Sequence, residues 1–230
     1  MGGQLSPHRT TSLAAGVLYL LTFVSIPTLA LYGPVHDPNY IVGPGPDTGV
    51  MFGAILEIVV ALACIGTAVV LYPVVRKQNE GIALGFVGVR VLEAGTIFAG
   101  VACLLTVVTL RQGGAGVGAL VIGRALVALY DRTFLLGQSF LPAVNALLLG
   151  YLLYRSRLVP RALPLIGFVG APLLVGSDIA VLFGVIGRSA PPAALAAIPI
   201  ALWELSLGVW LVVKGFNPSP PISGDAQNPK

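Results

Sequence analysis

Six runs of roughly twenty or more mostly apolar residues constrain this chain more than any other feature. They cover residues 12–32, 50–75, 81–110, 120–154, 162–187 and 193–213, and charged or Gly/Pro-rich breaks separate them. A helix rising 1.5 Å per residue needs about 20 apolar residues to cross the hydrocarbon of a bilayer. Inside the bilayer no water satisfies the backbone, so such runs must close their hydrogen bonds as helices. The expected fold class is all-α: a polytopic bundle of six transmembrane helices. Charge content points the same way. Only 10% of the residues are charged, against about 25% in soluble domains, and mean hydropathy is +0.92. A water-soluble enzyme, a disordered protein and a nucleic-acid binder are all excluded, the last because the net charge of +4 is scattered rather than gathered in a basic block.

The first run is too long for the apolar core of a secretory signal, and five more follow, so it reads as a retained helix. Residues 1–11 are then a cytoplasmic N-terminal segment, 12–216 the six-helix domain and 217–230 a disordered cytoplasmic tail rich in Pro and Ser. Met1 to Ser6 also fits the N-myristoylation pattern; an unmodified start is the simpler reading. With the N-terminus inside, the inner segments carry eight Lys and Arg residues. The outer loops carry two, or three counting Arg124. The positive-inside rule therefore places both termini in the cytoplasm. Arginine outnumbers lysine ten to three among abundant Ala, Gly, Val and Leu. This bias suits a bacterial inner, that is plasma, membrane.

No cofactor and no metal site are expected. Cys64 and Cys103 lie in apolar runs as small hydrophobes. His8 and His36 lie outside the runs, which excludes intramembrane haem ligation; Lys77, Lys214 and Lys230 do too, which argues against a retinal Schiff base. No catalytic residue is assigned. The pair Tyr130-Asp131 and Gly176-Ser177-Asp178 lacks the Gly-x-Gly-Asp of intramembrane aspartyl proteases, and the spans hold no histidine.

The informative residues are the ionisable ones inside the runs, which cost about 2.5–3.5 kcal/mol each on insertion scales. They are Glu57, Arg90, Glu93, Asp178 and Glu204, with Asp131 toward the outer end of the fourth run. Arg90 and Glu93, three apart, share a helix face. One deep cation faces four deep acids, unless Arg124 or Arg132 reaches in. The simplest expectation joins them into a single internal site in the outer half of the membrane, facing water, a proton or a cation. The opposing expectation is that the charges only lock helices together.

Arg124, Asp131, Gln138 and Asn145 recur at intervals of seven. Such a stripe drifts only about 20° per step and spans about 31 Å. Pro142 deprives the carbonyl of Gln138 of its donor, marking a kink or a ligand group; Pro27, Pro172 and Pro199 can loosen other helices similarly. Gly81 and Gly85 form a small-residue motif that suggests close helix contact. Trp203 and Trp210 are expected in the core.

Several stretches resemble the bacterial integral membrane family catalogued as domain of unknown function 4386. They are Gly53-Ala54-Ile55-Leu56-Glu57, Gly88-Val89-Arg90-Val91-Leu92-Glu93, Tyr130-Asp131-Arg132-Thr133-Phe134-Leu135-Leu136-Gly137, Tyr154-Arg155-Ser156-Arg157-Leu158-Val159-Pro160-Arg161, and Trp203-Glu204 with Val213-Lys214-Gly215-Phe216. The resemblance runs from about residue 11 to 216. It implies that Glu57, Arg90, Glu93 and Glu204 are typical positions, leaves Asp178 outside the pattern, and implies no activity.

The leading expectation is a membrane protein whose acidic/arginine site binds or moves a small solute, cation or proton. The alternative is a non-transporting accessory, sensor or assembly protein. Expected partners are the lipid bilayer and, for so short a chain, a second copy of itself or a membrane partner subunit.

Overall fold

A computed structural model describes residues 7–217. The myristoylation pattern and the tail beyond residue 217 lie outside the described residues. Within them the chain forms helices and turns, with no strand. The chain is a multi-pass membrane protein with six segments long and apolar enough to cross a bilayer: His8–Leu31, Thr48–Val75, Glu80–Gln112, Val117–Ser156, Ala162–Leu182 and Pro191–Val213. They are called spans one to six.

Span one is α1 (Pro7–Leu21), a 3-10 turn (Thr22–Ser25) and the short α2 (Thr28–Leu31). Spans two and three are α3 (Thr48–Val75) and α4 (Glu80–Gln112). Span four is α5 (Leu120–Phe134), a π-helical segment (Leu135–Phe140) and α6 (Leu141–Ser156). Spans five and six are α7 (Ala162–Leu182) and α8 (Pro191–Val213). Each span packs on its neighbour in sequence, and α8 closes the ring on α1. His8 and Asn217 line one pocket with Lys77 and Leu158, so both described ends lie on the same side of the bundle.

The bundle is sealed differently at its two ends. At the end bearing His8 and Asn217, Leu71, Val75, Phe86, Leu149 and Leu153 form an apolar core with Trp203 and Leu211. At the other end the segment between spans one and two folds as a cap over spans three and four. Val35, Tyr40 and Ile41 are buried there against Leu104, Val107 and Tyr130. Arg111 ties the cap down. Its guanidinium pairs with Asp47, donates to the carbonyl of Gly43 at 2.8 Å and lies over the Tyr40 ring. Hydrogen bonds from Arg111, and then from Gln112 and Tyr40, hold the Asp47 carboxyl down at about 2 against the cost of burial.

Three expectations need correction. Span one is not one continuous helix: Pro27, which has no N–H to donate, begins α2, and the turn before it is 3-10. Span five stops at Leu182 rather than at 187, because Gly184 takes a left-handed conformation (φ 71°) that ends the helix. The motif at Gly81 and Gly85 does not mark the closest approach. A Cβ on Gly85 would meet Leu148 only at 3.7 Å. A tighter approach, backbone against backbone, is between α1 and α8. There a Cβ on Gly16 would meet the Gly208 carbonyl at 2.7 Å and the Val212 nitrogen at 2.8 Å.

Pro142 acts as its chemistry demands. It sits in the first turn of α6, and just before it the Leu141 N–H bonds back to the Leu136 carbonyl, five residues away. The widened turn of Leu135–Phe140 absorbs the missing donor.

Gly16→Ala should lower the stability of the detergent-solubilised protein by about 1–3 kcal/mol, because backbone cannot yield as a side chain does. Gly95→Ala, where a Cβ would meet nothing within 4 Å, should leave it unchanged or slightly higher. Thermal unfolding of the two variants side by side checks the contrast.

Candidate functional site

Burying a guanidinium in an apolar helix requires partners, and Arg90 of α4 has them at both Nη atoms, while its Nε is buried without a hydrogen-bond partner. Its Nη1 donates to Glu93 Oε2 at 3.0 Å and to Cys64 Sγ at 3.5 Å, and its Nη2 to Glu204 Oε1 at 3.2 Å. Its charge lies 4.9 Å from the centre of the Tyr19 ring. Glu93 also accepts from Asn145 Nδ2 at 2.8 Å. Through these contacts Arg90, 1% exposed, joins spans one, two, three, four and six.

Glu57 forms a second centre nearer the cap. Tyr130 (3.0 Å) and Gln138 (3.1 Å) donate to one carboxyl oxygen and Tyr32 (3.3 Å) to the other. The two tyrosine rings meet edge to face at 5.3 Å. All three donors are neutral, and among the described residues no cation lies within ion-pair distance of Glu57.

Asp178 of α7 is a third. Its Oδ1 accepts from Ser139 at 2.7 Å, while its Oδ2 is buried with no hydrogen-bond partner. Gln138 and Ser139 are adjacent on the π-helical turn, so that one irregularity in span four serves both Glu57 and Asp178.

Asp131 belongs to a fourth group at the cap end. Its Oδ1 accepts from Arg188 at 2.6 Å and meets His36 Nε2 at 3.1 Å. Arg188 lies over the rings of Phe134 and Tyr130 at 4.5 and 5.8 Å. His36 Nδ1 meets the carbonyl of Tyr32 at 2.7 Å. Carbonyl and carboxylate can only accept, so both ring nitrogens are best matched when both carry protons. The bond to Asp131 accordingly raises the His36 pKa above its ordinary value, against burial.

The expected single site is thus four neighbouring groups. A cavity of about 510 Å³ touches all of them. Glu93, Glu204, Asp178 and Ser139 line it directly, as do Gln138 and Arg188, while Arg90 and Glu57 stand behind that layer. Of the stripe on span four, Gln138 and Asn145 each hold a buried carboxyl on another span. Arg124 does not reach the deep acids; its Nε donates to the Pro38 carbonyl at 3.3 Å, beside a separate groove under the cap. Asp131 pairs with Arg188 rather than with its neighbour Arg132.

The family described as domain of unknown function (DUF4386) matches residues 14–215. The chain belongs to that family. Comparison with curated proteins and with solved structures finds no match. The four positions that resemblance to DUF4386 singled out, Glu57, Arg90, Glu93 and Glu204, are those of the first two centres. Asp178 carries one of the buried oxygens without a hydrogen-bond partner, with Ser177 Oγ and Asn145 Oδ1.

Reading the DUF4386 sequence alone missed the tyrosines, Ser139, His36 and Arg188. A tyrosine near a run's end reads as interfacial belt, and only the fold turns Tyr32 and Tyr130 onto Glu57.

Arg90→Met should destabilise the protein by about 3–5 kcal/mol, since it leaves two buried carboxyls without their cation. Adding Glu93→Gln and Glu204→Gln should restore most of the loss in thermal unfolding at neutral pH. His36 supports a second prediction. Because its folded-state pKa is raised, its contribution to cap stability is complete below the ordinary histidine value of about 6.5. That contribution is lost as pH rises through the higher folded value. An NMR titration should show a histidine resonance titrating above the ordinary value, absent in His36→Gln. Loosening of the cap at alkaline pH, read by hydrogen exchange, should vanish in the same variant.

Proposed function

We propose that the interior of this bundle binds a small solute or cation and moves it across the membrane, linked to proton uptake by its carboxyls. Both termini then face the cytoplasm and the cap faces outward, in the bacterial inner membrane. The observation that carries the reading is the cavity of about 510 Å³ walled by Glu93, Asp178 and Glu204, where Asp178 has one oxygen buried with no hydrogen-bond partner. Cavities of roughly 300–1,000 Å³ with a few convergent polar groups are the usual form of small-molecule sites. Such acids, with Glu57 behind them, are neutralised by a proton or by a bound cation. Exchange between the two couples solute to proton. Arg90 orients Glu204 and releases it when the helices rearrange.

A second reading rests on the same contacts. Arg90 is engaged with groups on four spans, so that its ion pairs serve the architecture, as in an accessory or sensor protein whose buried charges are structural. Under that reading Glu93 and Arg90 hold the bundle while Asp178 and Glu204 have no ligand.

The two separate in proteoliposomes. Dye-reported proton flux, measured alongside sodium uptake, should exceed empty liposomes for the wild type and fall at least tenfold for Glu204→Gln. Equal, background-level flux from both proteins would remove the transport reading.

A further inference from the structure

The cavity has a side opening. Along α1, span one packs on α8, but its 3-10 turn and α2 pack on α3 instead. Span one therefore parts from span six toward the cap end. Phe23 and Ile26 form one lip of the gap and Ala194 and Ala197 the other, and all four line the cavity. Ile26 is 58% exposed and Leu29 70% exposed, as suits side chains facing lipid. At the cap end Arg188, held by Asp131 and two aromatic rings, lines the cavity beside the exposed Ser189, and the apolar core of Leu71, Phe86 and Leu153 closes the other end.

The chemistry of the walls restricts the occupant. Asp178 is 7% exposed with a free Oδ2, and no described cation pairs with it. Arg90 is already divided between Glu93 and Glu204, and Arg188 is committed to Asp131. An anion would meet uncompensated carboxyls, and a neutral apolar molecule would leave Asp178 unmet. An inorganic metal ion is also poorly served. Such ions need several converging oxygen ligands, and no three acidic, cysteine or histidine side chains among the described residues come together to hold one. Phe134, Leu174, Val181 and Ile200 make much of the remaining wall apolar, interrupted by Thr22, Ser25, Gln138, Ser139 and Ser189.

We propose that the ligand is an amphiphilic monovalent organic cation, which reaches the cavity sideways from the bilayer between spans one and six and sets its charge between Asp178 and Glu204. This rests on the cation-binding reading above and names its substrate class and route. The apolar body replaces lipid contact with Phe134 and Ile200, so no dry charge crosses the hydrocarbon unaccompanied. Arg188 at the cap end then repels the same cation from the aqueous side.

The test uses full-length protein in lipid nanodiscs and tritiated 4-phenylbutylammonium, with empty nanodiscs as blank. Binding should be saturable. Displacement by the neutral 4-phenylbutanol should be at least tenfold weaker, and 4-phenylbutanoate should not displace. Asp178→Asn should weaken binding at least tenfold, and Ala194→Trp, at the lip, should slow association at least tenfold. Absence of saturable binding by the wild type, or equal displacement by the alcohol, overturns the substrate class. An unchanged association rate in Ala194→Trp overturns the sideways route. The flux assay keeps the failures apart. Sodium or proton flux without phenylbutylammonium binding sinks the organic-cation claim alone; absence of both sinks the transport reading with it.

Discussion

Burying Arg90 is the constraint around which the bundle is organised. A guanidinium deep among apolar helices survives only if its charge is matched and its protons are taken up. Glu93 on its own helix supplies one partner and Glu204 on α8 the other, with the Tyr19 face and Cys64 sulfur closing the shell. These partners come from different parts of the chain, so holding one side chain brings spans one, two, three and six into register. Glu93 must in turn be held by Asn145, which fixes the rotation of α6. Polar residues thus supply specificity where lipid, as apolar as the helices, offers no hydrophobic drive to associate.

Two departures from α-helix give the bundle its interior. In span one the 3-10 turn before Pro27 carries the chain off α8 and opens a wall. In span four the π-helical turn before Pro142 pushes Gln138 and Ser139 inward onto carboxyls of two different helices. Irregular backbone at membrane depth is tolerated where it lines such a space.

The fold was legible because its signal is composition over long windows. Six apolar runs leave little choice but six spans, and Arg90, Glu93 and Glu204 stood out because charge is so rare there. Pro142 was legible too, since a missing N–H has a definite consequence four residues upstream. What stayed hidden depends on rotation and on distant contacts. Nothing local says that His36, in a Pro-rich loop, reaches Asp131, or that Arg188 in a short link turns inward over Phe134. The break in span one is another case. Pro27 announced some disturbance, but its extent depends on whether α3 or α8 offers the better surface. The small-residue motif at Gly81 misled for a related reason: spacing identifies a smooth face, not the helix that will be laid on it.

The widened turn in span four has a mechanical corollary. Gln138 and Ser139 share one peptide unit, yet each restrains an acid on a different helix. Twisting that segment enough to detach the amide from Glu57 necessarily drags the hydroxyl away from Asp178. The two acids are therefore yoked like pans on one beam, so that loading one alters the grip on the other without any direct contact between them.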